Sequence, residues 1–544
     1  MQNSASKGNY LRQAGILATV GIICRIIGIL YRSPLTSIIG NEGNGYYTSA
    51  YNIYTIVLLL SSYSIPSAVS KVISAKLALR EYENAHRIFK GALLYVLVAG
   101  AIGSLFTFFG AGFFLEGDAA IVLKVFAPTI FISGFVGVLR GYFQAHGTMV
   151  QTSVSQVVEQ IMNAVVSLWM AYTLISLVKG QGSTKEAIYG AAGSALGTGS
   201  GVVIALLFML FVYMLNRKLL SNRRKQDRHH IVESYPQIMR IIMTTVTPIL
   251  ISTFIYNFST SFNQVVFTKT MTYMRGFDFK VATTIYGVFG GRAMVILNIP
   301  IAVSAAIAAA MIPAISASTA VGNKKEVRVR TKNAIWTTSL IAIPSAIGLM
   351  VLSRPVMQLL FPQQEYFDLA SQLLMMISPA VVFYSLSTLS NGILQGVGKV
   401  NLPVRNAAIA LAVQTLLLVL LLSFTDLEIY ALVVSLLVYS GLMCILNSIS
   451  IHKHTGYRNP ILKIYLLPLL SAVIMGAAAR LTYTIIYELL ESNLIALIPA
   501  IILAVLVYFV MILLTGAVEE EQLILMPKGR VLVRAARKLH LLKK

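Results

Sequence analysis

Charge is scarce in this chain of 544 residues: Asp, Glu, Lys and Arg make up 12 %, against 57 % hydrophobic residues. A charged fraction that low excludes a soluble domain built round a single core and leaves a polytopic membrane protein. Cysteine is nearly absent. Cys24 and Cys444 both fall inside apolar runs, which excludes a disulfide framework and a thiolate metal site. His and Cys show no metal-ligand spacing, no glycine-rich phosphate loop carries a lysine, and no carboxylate pair sits on a sizeable loop. The chain is therefore expected to be no enzyme and to need no cofactor and no metal. A cleavable leader is not expected either, because the first apolar run contains Arg25 and ends in YRSPLTS, residues 31–37, rather than at small residues.

What the chain has is apolar runs. They recur from Leu11 to Gly516, each about 20 residues or more as a membrane-spanning helix requires, with short polar breaks between them. They lack the alternation of a porin strand, so each satisfies its own backbone as a helix. The pattern predicts an all-α integral membrane protein with 14 transmembrane helices. Lys and Arg collect in the loops after even-numbered spans, as in RKLLSNRRKQDR (Arg217 to Arg228) and NKKEVRVRTK (Asn323 to Lys332). The loops after odd-numbered spans hold acids: LEGD (Leu115 to Asp118), TDLE (Thr425 to Glu428) and ELLES (Glu488 to Ser492). By the positive-inside rule both termini are cytoplasmic. The net charge of +23 calls for anionic membrane lipid as a partner and for no nucleic acid.

Two segments return. IPSAVSKVI (Ile65 to Ile73) reappears as IPIAVSAAI (Ile299 to Ile307), and the frame Pro128, Gly141, Gln144, Gly147 reappears at the same spacing as Pro379, Gly392, Gln395, Gly398. Each partner lies six spans along, and because six is even the halves insert the same way up. Such parallel repeats build transporters that rock two bundles about a central site. The expected layout is an N-lobe at 1–216, a cytoplasmic basic linker at 217–237 and a C-lobe at 238–455. An appended helix pair follows at 456–516, and the chain ends in an amphipathic basic tail at 517–544. In that tail Leu532, Ala535, Leu539 and Leu542 share a helical face bordered by Arg534, Arg537 and Lys538, as in an interfacial helix.

Charges kept inside a membrane cost roughly 2.5 to 3.5 kcal/mol on insertion scales and usually face a wet cavity. Arg25, Arg292 and Arg480 are the interior bases, with Arg32 nearer a helix end, and Glu159 is the interior acid. The four arginines are candidates for binding an anionic cargo, since guanidinium forks match phosphate oxygens. The alternative is structural: Arg25 or Arg292 satisfying carbonyls at a helix break, and Arg480 snorkelling. Glu159 reads either as a proton or cation site that couples transport, or as a tether to Gln156, Gln160 or Arg140. Arg140, Gln144 and His146 cluster at one end of span four, as a gate or as a capping network.

RGYFQAHGTMVQTSVSQVVEQ, IPSAVSKVISA and the opening ICRIIGILYR, together with the parallel repeat, resemble the polysaccharide-exporter branch of the multidrug/oligosaccharidyl-lipid/polysaccharide (MOP) superfamily. That branch includes MurJ-type lipid II flippases and SpoVB-like proteins. The resemblance covers essentially the whole chain. It implies residence in the bacterial cell membrane and movement of an undecaprenyl-pyrophosphate-linked saccharide from inner to outer leaflet by alternating access. A polyprenyl-pyrophosphate-linked saccharide is then the partner, the extra helix pair forms a groove for its tail, and the transporter works as a monomer. Arg25 and Arg292 stand at the positions of the family's cavity arginines. Tyr31 replaces a second span-one arginine, with Arg32 one place on, and Asn257 and Asn263 stand on span seven, where relatives proposed to bind sodium carry an acid. Two other readings stay open: a multidrug cation antiporter of the same superfamily, which would line its cavity with carboxylates, and a non-transporting membrane enzyme or scaffold.

Overall fold

The computed structural model describes residues 2–59, 61, 65–115, 117, 119–224, 227, 233–320, 322–363, 365–399 and 401–518. The tail beyond Val518 and part of the basic linker lie outside them. Every described element is helical. In chain order they are α1 (Gln2–Leu58), α2 (Ile65–Ala78), α3 (Tyr82–Phe114), α4 (Ala119–Ala145), α5 (Val150–Leu177) and α6 (Ser183–Arg224). There follow α7 (Tyr235–Tyr273), α8 (Phe279–Val288), α9 (Met294–Ala320), α10 (Lys324–Val351), α11 (Ser353–Leu360) and α12 (Phe367–Ile377). The last are α13 (Ala380–Gly396), α14 (Asn401–Phe424), α15 (Ile429–Thr455), α16 (Leu467–Leu490) and α17 (Asn493–Leu514). Single π-helical turns join α8 to α9 (Phe289–Ala293) and open α16 (Leu462–Leu466).

Among the described residues ten helices are long and apolar enough to cross a membrane, and eleven if the bent pair α12–α13 is one span. The chain is a multi-pass membrane protein. The expected spans centred on Ile22, Leu59 and Thr253 fall outside that set, so the count of fourteen goes beyond it. Exposed side chains such as Phe109 (78 %) and Phe113 (80 %) would be a liability in water and suit a lipid-facing surface.

Local chemistry sets the breaks. α1 is interrupted at Gly40, whose φ of 69° and ψ of 179° leave the helical region. α7 opens where Gln237 Oε1 accepts from the Ser234 backbone N–H at 2.9 Å, with Pro236 in the first turn. The repeated frame ends α4 and α13 alike: Gly147 (φ 78°) and Gly398 (φ 80°) both turn left-handed, and both bond back to the glutamine three residues earlier.

Compactness divides the chain into two units, Met1–Gly291 with Val419–Asp426, and Arg292–Leu418 with Leu427–Lys544. In the first, α5 and α6 meet along small residues. A Cβ on Gly193, Gly197 or Gly201 would come within 2.6 Å of the Met170 carbonyl, 2.1 Å of Ser167 Oγ and 2.6 Å of the Glu159 carbonyl respectively. Lipid supplies little hydrophobic drive between helices, so this close backbone approach is the main source of cohesion. α1 and α8 cross in the same way, since a Cβ on Gly287 would lie 2.5 Å from Gly45 Cα and one on Gly291 would strike the Asn44 amide. Asn44 Nδ2 donates to the Gly287 carbonyl at 3.1 Å, and Lys280 Nζ pairs with Glu42 at 2.9 Å beside the crossing. The second unit centres on a core shared by α9, α10, α13, α16 and α17, including Trp336, whose Nε1 donates to the Ala517 carbonyl at 3.2 Å.

Candidate functional site

Glu159 is held by Arg140. Arg140 Nη2 lies 2.6 Å from its Oε2 and donates to Ser155 Oγ at 2.8 Å, with the guanidinium 13 % and the carboxylate 30 % exposed. The packing just described explains the meeting. The glycine face of α6 grips one side of α5 at the Glu159 backbone, and the Glu159 side chain reaches Arg140 on α4. Among the described residues neither Gln156 nor Gln160 bonds to Glu159. His146 does not join the pair either: its Nδ1 lies 2.9 Å from the Tyr142 carbonyl and its ring 4.5 Å from the Tyr142 ring. Gln144 contributes its backbone carbonyl to the Gly147 turn. The three residues expected to cluster at the end of span four thus divide between an ion pair and a helix cap.

The arginines occupy different environments. Arg32 stacks over Tyr47 at 4.7 Å and reaches Asn44 Oδ1 at 3.5 Å. Around it Tyr31 accepts from Asn163 Nδ2 at 3.5 Å, and Tyr47 and Thr198 hydroxyls meet at 3.3 Å, making one polar seam among α1, α5 and α6. Arg292 is fully buried on the π-turn and donates to the Glu365 carbonyl at 3.2 Å. A π-turn often marks a functional position, because the extra residue re-aims a side chain. Arg480 lies on the exposed stripe of α16 with Val473 and Leu481. The side chain of Arg25, on α1, and that of Asn257, on α7, lie outside the described residues. Asn263 on α7 is buried.

Residue charges alone did not point to a cavity in the second unit, a trough of about 830 Å³ bounded by α10, α13, α15 and the π-turn that opens α16. Its walls are apolar, with Ile343, Ile347, Val382, Phe383, Ile445 and Ile449. Its mouth is polar, formed by His452 in the last turn of α15 and by Tyr457, Arg458 and Asn459 just past its end. Among the described residues Tyr457 Oη and Asn459 Oδ1 are buried with no hydrogen-bond partner, although Asn459 Nδ2 donates to Ser448 Oγ at 3.2 Å. Burial pushes the Tyr457 phenol up, so it stays a donor. The HKHTGYRN run at the end of span twelve was the available sequence signal: a polar, basic segment between two apolar runs.

The backbone belongs to a known class. It matches a solved lipid II flippase MurJ in an inward closed conformation with a TM-score of 0.64, at 14 % identity over 91 % of this chain and 97 % of that one. An inward-facing MATE-family multidrug resistance transporter matches with a TM-score of 0.60, at 15 % identity over 81 % of this chain and 94 % of that one. The chain therefore shares the multi-span fold of these two proteins. It belongs to the polysaccharide biosynthesis protein family, which matches residues 10–319, and the MatE family matches residues 290–421. It is similar to the lipid II flippase MurJ of Bacillus subtilis, 25 % identical over 87 % of this chain and 88 % of the relative. It is also similar to stage V sporulation protein B of the same organism, 26 % identical over 82 % and 84 %. The flippase and the multidrug protein among these relatives are transporters, not enzymes.

Proposed function

We propose that this protein is a flippase that moves a polyprenyl-pyrophosphate-linked saccharide from the inner to the outer leaflet of the bacterial cell membrane, through fourteen spans with both termini cytoplasmic. The trough carries the proposal. An apolar channel of that size, with Arg458 and His452 at its polar end, suits a ligand with a long hydrocarbon tail and a phosphate head. The two lobes at 1–216 and 238–455 alternate access, and the start of the 456–516 pair walls one side of the trough. Arg25, Arg32 and Arg292 serve the pyrophosphate once the cavity opens to it, and Arg480 snorkels. The engagement of Glu159 with Arg140 argues against the cation-antiporter reading, because that reading needs a carboxylate free to exchange partners. The test is complementation of a strain depleted of its lipid II flippase, scored by precursor retained on the inner leaflet. Wild type relieves the accumulation, and Ile445→Trp, which narrows the trough, relieves it several-fold less at equal abundance. Full relief by the Trp variant would remove the trough from the transport path.

A further inference from the structure

A second cavity, about 500 Å³, lies in the first unit and belongs to none of the machinery above. Three helices build it. α3 contributes His86, Lys90 and Leu93, α4 contributes Phe135 and Leu139, and α6 contributes Leu206, Leu210 and Arg217. On α3 the residues fall at helical spacing on one face, and on α6 they run as a single stripe, so the cavity is a lengthwise groove floored by α4. Its chemistry is graded. The basic side chains sit near the start of α3 and the end of α6, which lie at the same membrane face, and beyond Tyr213, one turn in from Arg217, the side chains that line the groove are apolar. From Arg217 to Leu206 the α6 stripe rises roughly 16 Å at 1.5 Å per residue. That is about half of a ~30 Å hydrocarbon core, or one leaflet.

We infer that this groove is a binding site for an anionic glycerophospholipid of the surrounding leaflet, with the phosphodiester between Lys90 and Arg217 and one acyl chain laid along Leu93, Leu139 and Leu210. Lys90 and Arg217 are exposed, and among the described residues neither meets a carboxylate. Two cations without a counter-ion at the headgroup level, above an apolar slot one leaflet deep, complement an acidic lipid and leave a zwitterionic one with an unmatched ammonium. The leaflet-length slot also distinguishes this occupant from a polyprenyl chain, which is longer than one leaflet.

The test is native mass spectrometry of the full chain released from bilayers holding phosphatidylglycerol and phosphatidylcholine in equal amounts. Wild type is expected to retain phosphatidylglycerol several-fold over phosphatidylcholine. Lys90→Ala/Arg217→Ala loses that excess, Leu210→Trp loses bound lipid of both kinds at this site, and Lys324→Ala/Lys325→Ala, an exposed basic pair elsewhere, matches wild type. Equal retention of the two lipids by wild type, an unchanged excess in the Lys90/Arg217 variant, or an equal loss in the Lys324/Lys325 variant would each overturn the site. Displacement of the retained lipid by stoichiometric polyprenyl phosphate would also overturn it, because the groove would then belong to the cargo.

Discussion

The repeated frame allows a comparison of two helix pairs that descend from one plan, α4 with α5 and α13 with α14. Arg140 and Ser155 of the first correspond, 251 residues on, to Asn391 and Asn406 of the second, and Glu159 corresponds to Ala410. Both pairs are cross-tied at these positions, by opposite chemistry. The first uses a charged tie that is partly open to its surroundings. The second uses amides: Asn406 Nδ2 donates to Asn447 Oδ1 at 2.9 Å and to Ser450 Oγ at 3.0 Å, and Asn447 Nδ2 donates to Asn391 Oδ1 at 2.9 Å. Asn447 is fully buried and Asn406 is 2 % exposed. Desolvating an ion pair can cost more than the pair returns, whereas an amide cluster with its bonds made avoids that penalty. Burial, rather than position in the repeat, decides which tie is used.

Moving the charged tie into the buried site should have the largest effect. Asn391→Arg/Ala410→Glu would place two charges and two large side chains where Ala410 has no exposed surface, and we expect no folded protein by size-exclusion chromatography. Next comes Asn447→Leu, which strands Asn391 Oδ1 and leaves Asn406 Nδ2 with Ser450 Oγ alone. At about 1–3 kcal/mol for each unsatisfied buried group, thermal unfolding should show a loss of about 2 kcal/mol or more. Arg140→Ala should cost less, about 1–2 kcal/mol, because the 3–5 kcal/mol typical of a broken buried pair is reduced where the carboxylate is partly exposed. The smallest effect is expected of Glu159→Gln, which keeps shape and a hydrogen-bond acceptor for Arg140: under about 1 kcal/mol, with export and its pH profile close to wild type. A flattened pH profile in that variant would instead make Glu159 a proton carrier and end the equivalence of the two ties.

Much of this was legible from periodicity and spacing. Helix after helix follows the apolar runs, and the Gly147 and Gly398 turns match to within a few degrees because glycine at that step of the frame has one comfortable way to stop a helix. Pro128 and Pro379 show where spacing stops informing. The same residue in the same frame sits inside an unbroken α4, yet lies at a 49° break between α12 and α13. A proline removes one backbone bond in both places, and packing from other elements decides whether the helix bends. The partner of Glu159 was one of three candidates in the sequence, and the choice depended on which face of α5 the glycines of α6 occupy. Asn447 gave no warning, because a search for intramembrane charge passes over a neutral amide. The trough was invisible for a similar reason, since its walls have the composition of any lipid-facing helix.

The crossing of α1 with α8 has a mechanical consequence. Surfaces that interlock large side chains separate gradually, each knob working out of its hole at its own distance. Gly45, Gly287 and Gly291 present bare backbone, whose attraction falls by a quarter to a half once a gap of about 0.5–1 Å opens. Within so short a range the two helices are either touching or apart, with nothing stable between. The crossing thus behaves as a catch rather than a spring, fastened by the Asn44 bond and the Glu42–Lys280 pair and free of side-chain friction when those let go.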